Sequence, residues 1–142
     1  MRFLLDTDHI SLLQRQSGRE FDNLTRNIGE QPRSEIALSI VSFHEQVLGC
    51  NAYINRSRDP VEIVRGYAMF DRLLRTFSTA NVLAFDPTAA ATFDGLLAQR
   101  VRVATMDLRI ASIAISRKLV LVTRNLGDFG KVPGLATEDW TT

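Results

Sequence analysis

Four acidic residues lie where strands are predicted to end or helices to begin. They are Asp6, Glu45, Asp107 and Asp128. In parallel α/β sheets, ligands bind at the carboxyl ends of the strands. Carboxylates that converge within about 4–6 Å repel one another, and a bound cation relieves this repulsion. Oxygen ligands without a Cys or His pair suit Mg²⁺ or Mn²⁺ rather than Zn²⁺. Such a site predicts hydrolysis of a phosphodiester by metal-activated water.

Three of these acids also have a simpler structural interpretation. Asp6 directly follows the apolar residues 2–5 and would suit a helix N-cap as well as a site, although Asp8 is the better candidate for that cap. Asp107 lies in the first turn of a predicted helix, where the helix dipole alone favours a carboxylate. Asp128 lies in a loop, where a surface turn is the usual role of an aspartate. Each acid is ambiguous alone, so only their convergence would indicate a site.

Glu45 presents a choice between helix capping and chemistry. Ser42 precedes it by three residues, which is the spacing of a capping box. On a helix, however, Glu45 shares a face with the small and apolar residues at positions 48, 49 and 52. That face is an unusual setting for a solvated glutamate. Both roles therefore stay open.

The elements that must position these acids alternate along the chain. Short apolar runs predict strands at residues 2–5, 36–41, 81–85 and 119–123, and residues 135–140 either add a fifth strand or pack Trp140. Helices are predicted at residues 11–15, 20–28, 42–55, from 60 onward, 88–102 and 107–117, with a loop at 127–134. Fully apolar strands are typical of a parallel sheet covered by helices on both faces. The chain is therefore assigned to the α/β class, with a central parallel sheet of four or five strands.

The helix predicted from Pro60 carries a continuous apolar stripe. Its members recur at spacings of four and three residues and are Ile63, Tyr67, Phe70, Leu74 and Phe77. A stripe of this kind predicts packing in the core or at a seam between two copies of the chain. The alternative is one wall of a groove for a partner helix, with the short helices between residues 11 and 28 as the other wall.

Length and composition bound the remaining possibilities. The chain has 142 residues, 45% of them apolar, which matches one domain over residues 1–142 and excludes a disordered chain. No apolar run approaches the ~18 residues of a membrane span. The only cysteine, Cys50, allows no internal disulfide. We expect a soluble cytoplasmic protein without a membrane partner. The net charge of +1 does not indicate nucleic acid, and the excess of Arg over Lys permits RNA binding without arguing for it.

Three stretches of the chain together resemble one known family. They are MRFLLDTDHIS at the start, SIVSFHEQVLG in the middle and MDLRIASIAISRKLVLVTRNLGDFGKVPGLATEDW at the end. In this order and spacing they resemble a PIN-domain ribonuclease of the VapC toxin type, and they cover nearly half of the chain. The last stretch is the most specific of the three.

The resemblance implies a three-layer α/β/α PIN-like fold and Mg²⁺-dependent endonuclease action on RNA, with Mn²⁺ as a substitute metal. It matches Asp6, Glu45 and Asp107 to the acidic core of the family, with Asp6 and Asp107 as the direct metal ligands. Asp128 is then the fourth catalytic acid. Many PIN domains carry an acid where this chain has Asn125, and the neutral amide puts a second firmly bound metal in doubt.

The resemblance also implies supporting residues and partners. Thr123 would hold Asp6 or a bound water, and Asn125 would supply hydrogen bonds without charge. The implied partners are an RNA substrate and a cognate antitoxin, in a homodimer or a toxin–antitoxin hetero-oligomer. His9 and His44 match no catalytic position of the family, so we expect both at the surface.

Three other functions stay open. A strand followed by Asp-x-Asp, here Asp6 and Asp8, also occurs in phosphatases of the haloacid-dehalogenase type, in which Asp6 would be a nucleophile. That chemistry needs a lysine near the phosphate, and neither Lys118 nor Lys131 is placed for it. The second alternative is a PIN-domain nuclease of RNA processing without a toxin role. The third is a non-catalytic PIN-like RNA-binding module, for which Asn125 is the only support.

Overall fold

Five strands form one sheet in which every pairing is parallel, in a computed structural model that describes residues 1–142. The strands are β1 (Phe3–Leu5), β2 (Ile36–Ser39), β3 (Val82–Leu83), β4 (Val120–Val122) and β5 (Ala136–Glu138), in the order β3-β2-β1-β4-β5. Phe3 of the central strand is in register with Ile36 on one side and Val120 on the other. The predicted parallel sheet is confirmed, and the C-terminal segment supplies its fifth strand.

Seven helices connect and cover these strands. They are α1 (Thr7–Arg15), α2 (Arg19–Gly29), α3 (Ile40–Asn55), α4 (Pro60–Ser78), α5 (Pro87–Ala98), α6 (Thr105–Ser116) and α7 (Leu126–Phe129), with a 3₁₀ turn at Arg33–Glu35. None of the seven is both long enough and apolar enough to cross a membrane. The predicted loop at residues 127–134 contains part of α7, because Asn125 caps this short helix and the buried Phe129 anchors it.

The predicted capping box at the start of α3 is wrong. Ser39 is the cap, and its Oγ accepts a hydrogen bond of 2.9 Å from the backbone N–H of Val41. The helix therefore begins at Ile40, and Ser42 lies buried within its first turn. This shift releases the Glu45 carboxylate from a capping role.

Alternate strand residues face opposite sides of the sheet, which gives the fold three layers. On one face Leu4 and Leu121 pack against α5 and α6, and four α6 residues of this core are fully buried: Ile110, Ala111, Ile113 and Ala114. On the other face Leu5 and Val122 pack against α1, α2 and the C-terminal half of α4. Cys50 and Trp140 are buried in this second core, Trp140 with its ring 4.8 Å from that of Phe3. The α/β/α arrangement is confirmed.

The apolar stripe on α4 is only partly buried. Phe77 is buried, but Ile63, Tyr67 and Leu74 are 41%, 61% and 63% exposed. The expectation that the whole stripe packs in the core is therefore wrong. Helix α4 contacts α3 closely at Gly66, where a Cβ would overlap the side chain of Ile54.

The two histidines, His9 and His44, differ in solvent exposure. His44 is exposed, as expected, but His9 is completely buried in α1, which contradicts the surface role expected for it. Neither ring nitrogen of His9 has a hydrogen-bond partner. Burial lowers the pKa of His9, since the charged imidazolium is poorly solvated there. The neighbouring residues are apolar at positions 10, 12 and 13 and polar at positions 7, 8 and 11, and this pattern does not distinguish a buried histidine at position 9 from an exposed one.

Candidate active site

Asp6 lies at the carboxyl end of the central strand and is only 4% exposed. Its backbone N–H donates to the carbonyl of Val122, which ties the strand end to β4. Oδ1 accepts a hydrogen bond of 2.7 Å from the N–H of Thr7, and Oδ2 accepts one of 2.8 Å from the hydroxyl of Thr123. Asp6 is therefore the N-cap of α1, a role predicted for Asp8. We call the region of Asp6, Glu45, Asp107 and Asp128 the acidic cleft.

The environment of Asp6 disfavours its negative charge. Burial raises the pKa of Asp6 from 3.8 to about 6, and the charges of Asp107 and Asp8 contribute to the rise. The hydrogen bonds from Thr123 and Thr7 oppose it. No basic side chain lowers the pKa of Asp6, so the carboxylate has no cationic partner within the protein.

Hydrogen bonds through the hydroxyl groups of Ser42 and Thr7 connect Glu45 to the same edge of the sheet. Thr7 Oγ1 donates to Glu45 Oε1 at 2.8 Å and lies 2.8 Å from the Oγ of Ser42. A hydroxyl has one proton to donate, so Ser42 donates to Thr7 while Thr7 donates to Glu45. The small and apolar face that Glu45 shares with Leu48 is exposed, so this network, and not that face, holds the glutamate.

Asp107 lies half-buried in the first turn of α6. Burial raises its pKa, and the charges of Glu45 and Asp128 raise it further. The four predicted acids therefore interact electrostatically: Asp6 with Asp107, and Asp107 with Glu45 and Asp128.

Asp128 and Asn125 are hydrogen-bonded to each other at the start of α7. The Asn125 Nδ2 donates to Asp128 Oδ2 at 3.1 Å, and Lys131 Nζ lies 3.3 Å from Asp128 Oδ1. The hydrogen bond from Asn125 and then the Lys131 charge lower the pKa of Asp128. Asn125 in turn donates its backbone N–H to Thr123 Oγ1 at 3.0 Å. One short segment thus connects Asp128 to the residue that holds Asp6.

Arg124 joins this segment to the first two helices. Its guanidinium binds Asp8 in a bidentate pair at 2.6 and 2.8 Å and also contacts Glu20. The pKa of Asp8 is lowered by this pair. Asp8 is therefore engaged by Arg124 and is not an acid partner of Asp6. Lys118 precedes β4 at the opposite edge of the sheet, and these two placements remove the structural support for the phosphatase alternative.

The donor set of the cleft is suited to a hard divalent cation. Its side chains offer carboxylate and hydroxyl oxygens, and its acids repel one another. No three His, Cys, Asp or Glu side chains stand close enough together to form a full set of metal ligands. Mg²⁺ keeps several waters and binds through one or two carboxylates plus substrate phosphate oxygens, so a small number of carboxylates would be enough to hold it here.

Sequence reasoning missed Thr7 and Ser42 as members of this site. Thr7 lies in the first of the three matching stretches, MRFLLDTDHIS, in which only Asp6 is predicted to act, and Ser42 is predicted only as a helix cap. The signal for Thr7 was its position after the strand. No local pattern indicated Ser42, because its partner lies 35 residues away.

A cavity on another part of the surface lies outside this cleft. It measures about 660 Å³ and is lined by residues of α1, α2, β2 and the C-terminal end of α4, among them Leu13, Ile28, Ile36, Thr76 and Thr79. No acid, histidine or cysteine lines it. This groove therefore offers no acid for metal-dependent chemistry. It involves α1, α2 and α4, as the predicted partner-helix groove did, but none of the five stripe residues of α4 lines it.

Comparison with curated proteins identifies relatives of one kind, whereas no family model matches the chain. A protein of Salmonella typhimurium named tRNA(fMet)-specific endonuclease VapC is 31% identical over 111 residues, which are 75% of this chain and 76% of that protein. A protein of the same name from Shigella flexneri is 27% identical over 146 residues, with 99% of both chains covered.

Solved structures agree over almost the whole chain. The DNA-bound VapBC structure of Salmonella typhimurium aligns with a TM-score of 0.72 and 28% identity, covering 99% of this chain and 98% of that one. VapBC-1 of nontypeable Haemophilus influenzae aligns with a TM-score of 0.77 over the full length of both chains. Its 21% identity makes it evidence for the fold alone.

Proposed function

Because the chain belongs to the VapC family of PIN-domain toxins, we propose that it is a Mg²⁺-dependent endoribonuclease. The observation that carries this proposal is the hydrogen-bonded network at one edge of the parallel sheet, in which Thr123 and Thr7 hold Asp6 and Thr7 also holds Glu45. The charge of Asp107 acts on Asp6, and the charges of Glu45 and Asp128 act on Asp107. These acids lie far apart in the sequence and have no shared structural task that would explain their proximity.

Each residue of the cleft has a role in this proposal. Asp6 and Asp107 would hold the Mg²⁺, with Mn²⁺ as a substitute. The bound metal activates water and neutralises charge on the phosphate. Glu45 and Asp128 complete the catalytic acids, Glu45 as the acceptor of protons at the rim of the cleft. Thr123 keeps one oxygen of Asp6 oriented, and Asn125 does the same for Asp128.

We propose transfer RNA as the substrate class, since both curated relatives are named as tRNA(fMet)-specific endonucleases. The direct test incubates purified protein and Mg²⁺ with initiator tRNA, elongator tRNA and ribosomal RNA. Mapping of RNA ends in total cellular RNA after induction then identifies the bond, with Asp6→Asn as the inactive control. Few, defined ends absent from the control support the proposal. RNA that stays intact with Mg²⁺ and with Mn²⁺ would favour a non-catalytic binding module.

The toxin role requires a partner, and the cavity of about 660 Å³ is the surface we assign to it. One wall carries Leu13 and Ile28, and the other carries Thr76 and Thr79. An antitoxin helix with apolar anchors would bury this groove. The neighbouring structures are VapBC complexes, which supports a cognate antitoxin.

Co-expression tests this partner. The short reading frame next to the toxin gene should abolish growth arrest and copurify with the chain, either as a hetero-oligomer or around a toxin homodimer, which the mass in solution distinguishes. Growth arrest that persists without copurification would instead favour an RNA-processing nuclease without an antitoxin.

A further inference from the structure

A second cavity, of about 360 Å³, opens beside the acidic cleft. We call it the aromatic pocket, and its lining residues are Ile40, Val41, His44, Phe85, Phe93 and Arg109. Ile40 follows β2 directly, and Phe85 follows β3 by two residues. The pocket therefore lies at the same carboxyl edge of the sheet as Asp6, displaced toward β3. Neighbouring strands are about 4.8 Å apart, so this displacement is one to two strands.

Two helices connect the pocket to the proposed catalytic acids. Val41 lies one helical turn before Glu45 on α3, and Arg109 lies two residues after Asp107 on α6. One turn of helix spans about 5.4 Å. A single-stranded nucleotide whose phosphate is at the acids would thus carry the adjacent base to the pocket.

The lining has the chemistry of a stacking site. Phe85 and Phe93 are half-buried and pack edge to face, with ring centroids 6.1 Å apart. The guanidinium carbon of Arg109 lies 5.6 Å from the centroid of the Phe93 ring. No acidic residue lines the pocket, although the neighbouring cleft is rich in acids.

Arg109 differs from the other arginines near the cleft. Arg124 is paired with Asp8 and Glu20, and Arg117 is paired with Asp86. Arg109 forms no ion pair; its one hydrogen bond is to the sulfur of Met106, at 3.7 Å. Its charge and its remaining donors are therefore available to a phosphate or a base edge.

We propose that the aromatic pocket binds the nucleobase next to the scissile phosphate of a single-stranded RNA segment. The base stacks on Phe93 and Phe85, and Arg109 contacts the base edge or its phosphate. Aromatic stacking of unpaired bases is the usual basis of single-strand recognition. This inference rests on the proposed function and extends it, because it assigns selection of the cleavage site to Phe85, Phe93 and Arg109.

The test combines base removal with a pocket variant. The substrate is a single-stranded RNA oligonucleotide, selected from a mixed-sequence pool, that the wild-type protein cuts at one bond. Removing the base adjacent to that bond should lower kcat/KM by about 5- to 150-fold, which corresponds to the ~1–3 kcal/mol of one stacked base. In Phe93→Leu the intact oligonucleotide should already show this loss, and removing the base should have no further effect.

Matched variants separate stacking from folding. Phe21 is also half-buried but lies on α2, so Phe21→Leu should behave as the wild type. Arg109→Gln leaves the aromatic rings in place and should also reduce the effect of base removal. Equal effects of base removal in the wild type and in both pocket variants would overturn the proposal. A change of oligomeric state in Phe93→Leu with an unchanged effect of base removal would overturn it as well, and would identify the pocket as an interface between copies.

A binding experiment keeps the proposal separate from nuclease activity. Oligonucleotides carrying 2-aminopurine at one position at a time are titrated with Asp6→Asn protein, and fluorescence is quenched where the base stacks. Quenching at one position that is lost in Asp6→Asn/Phe93→Leu supports the pocket. Uniform quenching, or no quenching, overturns it. If the wild type cuts no RNA, the proposed function fails and this binding result still decides the pocket.

Discussion

Thr123 Oγ1 donates a hydrogen bond of 2.8 Å to Oδ2 of Asp6, across 117 residues of sequence. The two residues follow β4 and β1, which are neighbouring strands of the sheet. Asp6 is thereby held with one carboxylate oxygen toward Thr123 and the other toward the first N–H of α1. The orientation of a proposed metal ligand thus depends on the pairing of two strands.

Thr123→Val should shift the pH dependence of RNA cleavage. The hydrogen bond lowers the pKa of Asp6, so its loss raises that pKa above about 6. Protons then compete with the metal at higher pH, and the acid limb of the activity profile should move up by about 0.5–1 pH unit, since a hydrogen bond of this kind is worth ~1 kcal/mol. Thr123→Ser keeps the hydroxyl and should retain the wild-type profile. Identical profiles for Val and Ser would contradict the role of Thr123.

Asp6→Asn and Asp107→Asn should each lower RNA cleavage by about 100-fold or more, because each removes a charge that holds the proposed cation. Asp94 is an exposed aspartate on α5, so Asp94→Asn is the matched control and should cleave normally. Thermal unfolding gives a readout without activity: Mg²⁺ should raise the Tm of the wild type and of Asp94→Asn but not of Asp6→Asn. Equal Mg²⁺ effects on all of them would show that the metal binds elsewhere.

The free energy of unfolding should also depend on pH through Asp6. Its pKa is raised from 3.8 to about 6, so the metal-free folded protein binds this proton more tightly than the unfolded chain. Stability is therefore lost as pH rises from about 4 to 6, by up to ~3 kcal/mol. Metal-free Asp6→Asn should lack this loss and be more stable than the wild type at pH 8. Denaturant titrations at pH 4 and pH 8 measure the free energy of unfolding of the two proteins. If this free energy changes equally with pH in the wild type and in Asp6→Asn, the prediction is wrong.

Thr7→Val should disconnect Glu45 from Ser42. The variant keeps the shape of the side chain but leaves the buried Ser42 hydroxyl without its acceptor, for a loss of about 1–2 kcal/mol in the free energy of unfolding. Cleavage should fall as well, because Glu45 loses the donor that orients it. Thr7→Ser keeps the hydroxyl donor, so it should retain most of the stability and most of the cleavage activity. If Val and Ser variants cleave equally well, the hydroxyl chain does not position Glu45.

His9→Leu should stabilise the protein, most of all in acid. The pKa of His9 is lowered by burial, so below about pH 6.5 the unfolded chain takes up a proton that the folded protein does not. The wild type thus loses up to ~1.4 kcal/mol per pH unit from this group as the pH falls, and His9→Leu should not. Leucine also removes two buried nitrogens without partners. The exposed His44 provides the control variant His44→Gln. Urea titrations at pH 5 and pH 7 measure the free energy of unfolding of each protein. A larger loss of stability between pH 7 and pH 5 in His9→Leu than in the wild type would refute the prediction.

Arg124→Gln should destabilise the contact of the β4 end with α1 and α2. The bidentate pair with Asp8 is only partly exposed and is reinforced by Glu20, so we expect a loss of about 1–2 kcal/mol that decreases in high salt. The i,i+4 pair of Arg75 and Asp71 is exposed, so Arg75→Gln should lose much less stability than Arg124→Gln. Equal losses in the two variants, measured by urea unfolding, would show that the Arg124 network contributes no more than a surface pair.

Local patterns in the sequence were enough for most of the fold. Fully apolar strands predicted a parallel sheet, and Asp59-Pro60 correctly predicted the start of α4. These features depend on neighbours within a few residues, which is the range over which helix caps and strand patterns act. The α3 cap was misplaced because Ser39 and Ser42 are equally good capping residues by type.

The sequence by itself determined the fold class, the family and the four candidate acids, since each is encoded in residue types at short spacings. Only the tertiary structure decided how they are held. It brought Ser42 and Thr7 to Glu45, placed Thr123 on Asp6, buried His9 and left Tyr67 exposed. These outcomes depend on which strands pair and which helix faces meet. Such contacts join residues dozens of positions apart, and no local pattern specifies them.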